Sequence, residues 1–249
     1  MEKIMDEVLL KLRKVLWSGE TGEQSGIPQI KPAVVIGLGG SGAKVVARLK
    51  GRMDTWAEEF AATYAHINKV EGVPEDETRE HISKQLKNVT AYLAIDTLSF
   101  YKLEQEDPAI AKSLGTDDYL YAGGFNPVDY IHRTYKSDPN LQRWWDQDFH
   151  PPYTYIDDGA RRFRMLGRLA LYRIKEDFHS KLAGKVKQVV ELNREMVNRG
   201  IIQVTEEHLN EVQIYLVTGS NGGTGSGMFF DALFHAFAAV KEVGDLLPR

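Results

Sequence analysis

The 249-residue chain contains no cysteine. Disulfides, thiolate metal sites and cysteine nucleophiles are thereby excluded, and the absence fits a reducing, cytoplasmic setting. No apolar run approaches the roughly 20 residues that a spanning helix needs, so no membrane span is expected. The opening MEKIMDEVLLKLRKVLW has neither an uninterrupted apolar segment nor a small-residue cleavage site and does not read as a secretory signal. Excess positive charge is also lacking: the net charge is -4 and the pI near 6.0. Binding to nucleic acid rests on neutralising phosphates, so no nucleic-acid partner is expected. No internal repeat and no long low-complexity tract is visible. The rest, 43% hydrophobic and 27% charged, is the composition of a soluble globular protein long enough to bury a core.

Residues 1–32 read as a unit of their own. Ile4, Met5, Val8, Leu9, Leu12, Val15 and Leu16 form the stripe of an amphipathic helix, and Ser18 to Pro32 is a polar, Gly- and Pro-containing linker. From residue 33 to 249 strands alternate with helical stretches. The strands are Ala33–Gly37, Val89–Asp96, Tyr119–Gly124 and Val212–Gly219. A helical pattern follows the first strand, with Val45, Val46 and Leu49 turned inward. Pro127 suits the first turn of another helix. Asp138 to Asp158 reads as an irregular insertion, Gly159 to about Asn198 as one or two long helices, and MFFDALFHAFAAVKEV as the last helix. The alternation predicts an α/β fold with a parallel, Rossmann-like sheet flanked by helices, interrupted by a mainly helical insertion around 128–211. Ligands of such sheets sit beyond the carboxyl ends of the strands, where every glycine-rich turn of this chain falls.

The first of these turns, GLGGSGAK (Gly37 to Lys44), joins a strand to a helix, where free backbone N–H groups favour an anion. A Walker loop is excluded, because the lysine comes one position late and no hydroxyl follows it. A dinucleotide turn fits Gly37, Gly39 and Gly42. It also wants an acid about 20 residues further on, whereas the nearest strand-ending acid, Asp96, is more than fifty residues away. The second turn, SNGGTGSG, follows a different strand, which a dinucleotide fold does not require.

This second loop resembles the tubulin signature. Gly222, Gly223, Thr224, Gly225, Ser226 and Gly227 match, Met228 extends the match, and Asn221 replaces the leading small residue. VIGLGGSGAKVVARL, with Gly37, Gly39, Gly40, Ser41 and Gly42, is similar to the first phosphate loop of the bacterial division protein FtsZ. AIDT, with Asp96 and Thr97, stands where that family has its second loop. AGGFNP, with Gly123, Gly124 and Asn126, resembles its third. The chain is thus identified, over roughly residues 33 to 240, as a divergent bacterial member of the tubulin/FtsZ superfamily.

The resemblance implies bound GTP or GDP with Mg²⁺ near Asp96, the glycine loops cradling phosphates, and the hydroxyls of Thr224 and Ser226 as added donors. It further implies self-assembly into filaments or a larger complex, with hydrolysis completed by a neighbouring subunit. Leu98 departs from the family, which has an acid there, and a non-hydrolysing scaffold is the alternative; an NAD(P)-binding enzyme is the third reading. Lys44, where FtsZ has asparagine, either approaches the phosphates or extends into solvent. In GARRFRMLGRLALYR, Arg161, Arg162 or Arg164 faces the terminal phosphate or a neighbour, or else forms a solvated face. WWDQDFHPPYTY reads as the packing of an insertion, His235 as a core histidine and Asp231 as part of its helix's polar side. The family's later strands and central helix have no counterpart here, which would leave the strand at 212–218 an apolar edge. The expectation is therefore an N-terminal piece of a longer protein, or a second chain covering that edge.

Overall fold

The computed structural model describes residues 31–67, 74–152, 154–157, 159–198 and 211–246. The expected amphipathic helix at residues 4–16 lies outside them. Strands β1 (Ala33–Leu38), β2 (Thr90–Asp96), β3 (Tyr119–Tyr121) and β4 (Gln213–Thr218) form one fully parallel sheet in the order β3-β2-β1-β4. The helices are α1 (Gly39–Ile67), α2 (Glu75–Lys87), α3 (Phe100–Glu106), α4 (Pro108–Leu114), α5 (Pro127–Thr134), α6 (Pro139–Gln142), α7 (Arg164–Arg173), α8 (Lys175–Asn198) and α9 (Gly223–Leu246). Among the described residues, no helix is long and apolar enough to cross a membrane.

Every residue of β1 and β2 is buried, as expected of central parallel strands covered on both faces. Side-chain alternation divides their contacts between two layers. Val34, Ile36, Leu38, Ala91, Leu93 and Ile95 pack with Leu169, Phe178, Leu182 and Met228 of α7, α8 and α9. Val35, Tyr92 and Ala94 face Val46 and Leu49 of α1 and Ile110 and Leu114 of α4. Val46 is fully buried and Leu49 nearly so, while Val45 is only partly covered. β3 is shorter than the pattern suggested, ending at Tyr121 before the glycines. β4 lies at the sheet's edge among the described residues, and each of its residues is only half-buried.

The two helical layers are tied together below β3. Asp118 accepts from Lys50 Nζ of α1 at 2.5 Å and from Lys185 Nζ of α8, and Lys50 also donates to the Leu114 carbonyl. The insertion is packed as expected. Trp145 is buried, and ring contacts run from Tyr172 through Trp144, Trp145 and Phe149 to Phe163.

His235 of α9 is half-buried, edge-on to Phe178, with its Nδ1 3.4 Å from His179 Nδ1. Burial first, then the neighbouring His179 and Lys175, hold its pKa below the usual 6.5, against the opposing pull of Asp231 and Glu176. A histidine depressed on folding contributes stability above its unfolded value, and that contribution falls away as pH drops below it. Thermal unfolding from about pH 7 to about pH 5 should therefore lower the midpoint more for the unaltered protein than for His235→Gln. Parallel slopes for the two proteins would contradict this.

Candidate phosphate-binding cleft

Beyond the carboxyl ends of β1, β2 and β4 lies an open cleft of about 250 Å³, lined by Leu38, Gly39, Gly40, Ser41, Asp96, Leu98, Gly159, Arg161, Gly219 and Gly222 to Gly225. Helices α1 and α9 both begin at it, and neither carries an acid in its first turn. By contrast, α2 and α8 open on Glu75, Asp76 and Glu77 and on Glu176 and Asp177. The positive ends of α1 and α9 are thus left for an anion. The volume falls below the range of about 300–1,000 Å³ typical of sites enclosing a whole small ligand.

The two glycine loops are pressed against each other. Gly39 turns with φ +71°, a left-handed conformation that an L side chain resists, and a Cβ on it would lie 2.8 Å from Gly225 N. A Cβ on Gly225 would run into the Leu38 carbonyl and Thr218 Oγ1, and one on Gly42 into the Val217 carbonyl. Gly37 and Gly42 likewise abut each other, and Gly227 packs on the Arg164 carbonyl. Most of these glycines therefore allow chain to meet chain. Gly222 has nothing within 4 Å of a built Cβ, and Gly40 only the Asp96 carboxylate at 3.4 Å, so these two open toward the space a ligand would fill.

Asp96, buried at the end of β2, accepts from the Thr97 N–H at 2.7 Å. Thr97 Oγ1 lies 3.2 Å from Thr224 Oγ1, which also accepts from the Ala160 N–H at 2.9 Å. Ser226 Oγ donates to the Gly222 carbonyl inside the first turn of α9. Both hydroxyls expected to reach the ligand thus have protein partners. Among the described residues, no three His, Asp or Glu side chains cluster to hold a metal. Asp96 is the carboxylate in the lining of the cleft, and Leu98 lines it where the resembled family has an acid.

Lys44 stands exposed on α1, outside the lining. The third loop flanks the cleft without lining it. Asn126 caps α5, accepting from the N–H groups of Val128 and Asp129, and Gly123 sits against the Thr97 carbonyl. Arg173, not singled out by sequence reasoning, braces that loop. It donates to the carbonyls of Ala122 (3.3 Å) and Gly123 (2.7 Å) and stacks over Phe125. Its only advance signal was its place as the fifth arginine of Gly159–Arg173. Arg164 donates to the Ser220 carbonyl at 3.4 Å, Arg168 pairs through two bonds with Asp231, and Arg161 lines the cleft. Arg162 is exposed and outside the lining.

Fold and cleft together define a doubly wound α/β domain with two glycine-rich loops apposed at the carboxyl edge of its sheet. The family model described as tubulin-like matches residues 34–245, and the chain belongs to that family. No curated protein and no solved structure matches it.

Proposed function

We propose that the chain is a guanine-nucleotide-binding, tubulin-like protein that assembles with further copies or with another chain, in the cytoplasm. The observation that carries the reading is the convergence of two helix N-termini, both free of acids in the first turn, on one cleft with Gly40 and Gly222 open toward it. A triphosphate would be held there by backbone N–H groups of the two glycine-rich turns. Asp96 is the residue that would hold Mg²⁺, directly or through a water, and the ion would supply charge neutralisation for the phosphates. Among the described residues β4 has no strand on its outer side and is only half-buried, which supports an assembly surface, since apolar edges are normally covered. Exposed Phe230, Phe234 and Phe237 on α9 add to it.

Hydrolysis on this reading needs a group from a neighbouring subunit. Leu98 in the lining favours a second reading, in which nucleotide binds without being hydrolysed and the assembly is a scaffold. Titration calorimetry of the chain with GTP, GDP and NADH, followed by phosphate release under assembling conditions, tests both. Expected is saturable, Mg²⁺-strengthened binding of guanine nucleotides and none of NADH. Binding without phosphate release selects the scaffold. Absence of guanine-nucleotide binding, or preference for NADH, overturns the proposal.

A further inference from the structure

We infer that His179 and His235 are the protein ligands of a metal site between α8 and α9, suited to a borderline divalent ion such as Zn²⁺, Ni²⁺ or Cu²⁺. Neither residue lines the phosphate cleft. The Nδ1 atoms of the two rings stand 3.4 Å apart. That is long for a hydrogen bond from an N–H group, which prefers about 2.7–3.2 Å. Two nitrogens that each lie about 2.0–2.1 Å from one tetrahedral Zn²⁺ stand about 3.3–3.4 Å apart. The pair is therefore spaced for an ion shared by the rings rather than for a bond between them.

The surroundings hold both rings in that pose. His235 and Glu242 lie two turns apart on α9, and His179 of α8 meets both of them. Its Nδ1 faces His235, and its Nε2 lies 2.9 Å from Glu242 Oε2. An ionised carboxylate only accepts, so Nε2 carries the hydrogen and the neutral ring keeps its Nδ1 lone pair toward His235. A carboxylate placed behind a histidine in this way is the usual outer partner of a metal ligand, fixing its tautomer and orientation. The buried Phe178 braces the His235 ring edge-on. The charged groups around His235 are Asp231 of α9 and Glu176 and Lys175 of α8, and Asp231 is also held by Arg168 of α7. With Glu242 counted, the carboxylates there outnumber the cations, and the local field favours a bound cation.

Two imidazoles are fewer donors than a closed structural site has, so the remaining positions are left to water or to a donor from a bound molecule. Imidazole selects Zn²⁺, Ni²⁺ and Cu²⁺ over Mg²⁺, which takes oxygen ligands, so this pair does not compete with Asp96 for the same ion. The His179 side chain is 25% exposed, and His235 lines a cavity of about 320 Å³ beside Trp144, Tyr172 and Asp231, which gives an ion a way in. Bound there, the ion joins α8 to α9, the helix whose first turn belongs to the signature loop.

The test titrates the chelator-treated chain with ZnCl₂, Mg²⁺ being held in excess throughout, and follows binding by calorimetry and by thermal unfolding. The unaltered chain is compared with His179→Gln, His235→Gln, Glu242→Gln and, for a histidine elsewhere on the surface, His132→Gln. Expected is one saturable equivalent of Zn²⁺ that raises the unfolding midpoint by about 5–10 °C at about a hundredfold excess over Kd. His179→Gln and His235→Gln should each weaken binding by about tenfold or more and remove most of that shift. Glu242→Gln should weaken it by about tenfold through the loss of the outer partner, and His132→Gln should change neither readout. One equivalent of Cu²⁺ on the unaltered chain should give an electron paramagnetic resonance signal split by two ring nitrogens, a readout that depends on no variant folding. The inference is overturned if the unaltered chain binds no Zn²⁺, if either histidine variant binds as the unaltered chain does, or if His132→Gln weakens binding as much as they do. A Cu²⁺ signal without the two-nitrogen splitting overturns it as well.

Discussion

The Gly225→Ala protein is expected to lose about 3 kcal/mol of stability and, with it, nucleotide binding. The methyl group would enter space held by the Leu38 carbonyl and Thr218 Oγ1, both in strands paired along their whole length, so neither neighbour can give way cheaply. Relief requires α9 to move off the end of β1, which separates the two helix N-termini that form the cleft. In a domain of this size the loss corresponds to a fall of roughly 6–12 °C in the unfolding midpoint. Gly222→Ala provides the contrast. Nothing lies within 4 Å of the added methyl, so its midpoint should stay within about 1 °C of the unaltered protein. Any effect of Gly222→Ala should appear in nucleotide affinity alone. Equal midpoints for the two variants would show that the loops are not pressed together as described.

The second large effect is expected away from the cleft. Asp118→Ala should destabilise the fold by about 2–3 kcal/mol, because Lys50 and Lys185 would lose their shared counter-charge. A fully buried pair broken in this way costs about 3–5 kcal/mol. The lysine side chains here are 21% and 16% exposed and can turn partly to water, which places the expected loss below that range. Asp118→Asn, which keeps the shape and one acceptor, should fall between. Denaturant unfolding checks both, and a loss under about 0.5 kcal/mol for Asp118→Ala would mean the contact is only a surface ion pair.

Much of the frame was legible in the chain. β1, β2 and β4 announce themselves as short apolar runs, and each ends in a turn whose composition marks the carboxyl edge. The helices α2, α3 and α4 leave little trace in the sequence. α2, EDETREHISKQLK, buries only Ile82, Gln85 and Leu86, so its apolar signal is thin. α3 and α4 are seven residues each, too short for a periodic pattern, although their caps Ser99 and Asp107 are local features. In the sequence, the glycine-rich turns all look like room for a ligand. For Gly40 and Gly222 the geometry is of that kind, while for Gly37, Gly42, Gly225 and Gly227 the neighbour is the chain's own backbone. Composition cannot separate these cases, because both demand the absence of a side chain.

The sequence by itself determined the strand-and-helix alternation, the position of the glycine-rich turns and the resemblance to the tubulin superfamily, because these depend on residues near one another along the chain. Only the tertiary structure decided which loops meet, that Ala160 and Arg161 bond to the signature loop, and which of five arginines lines the cleft. Those contacts join residues more than fifty positions apart, such as Ala160 with Thr224. They are selected by how α7, α8 and α9 pack on one face of the sheet, which no local pattern records.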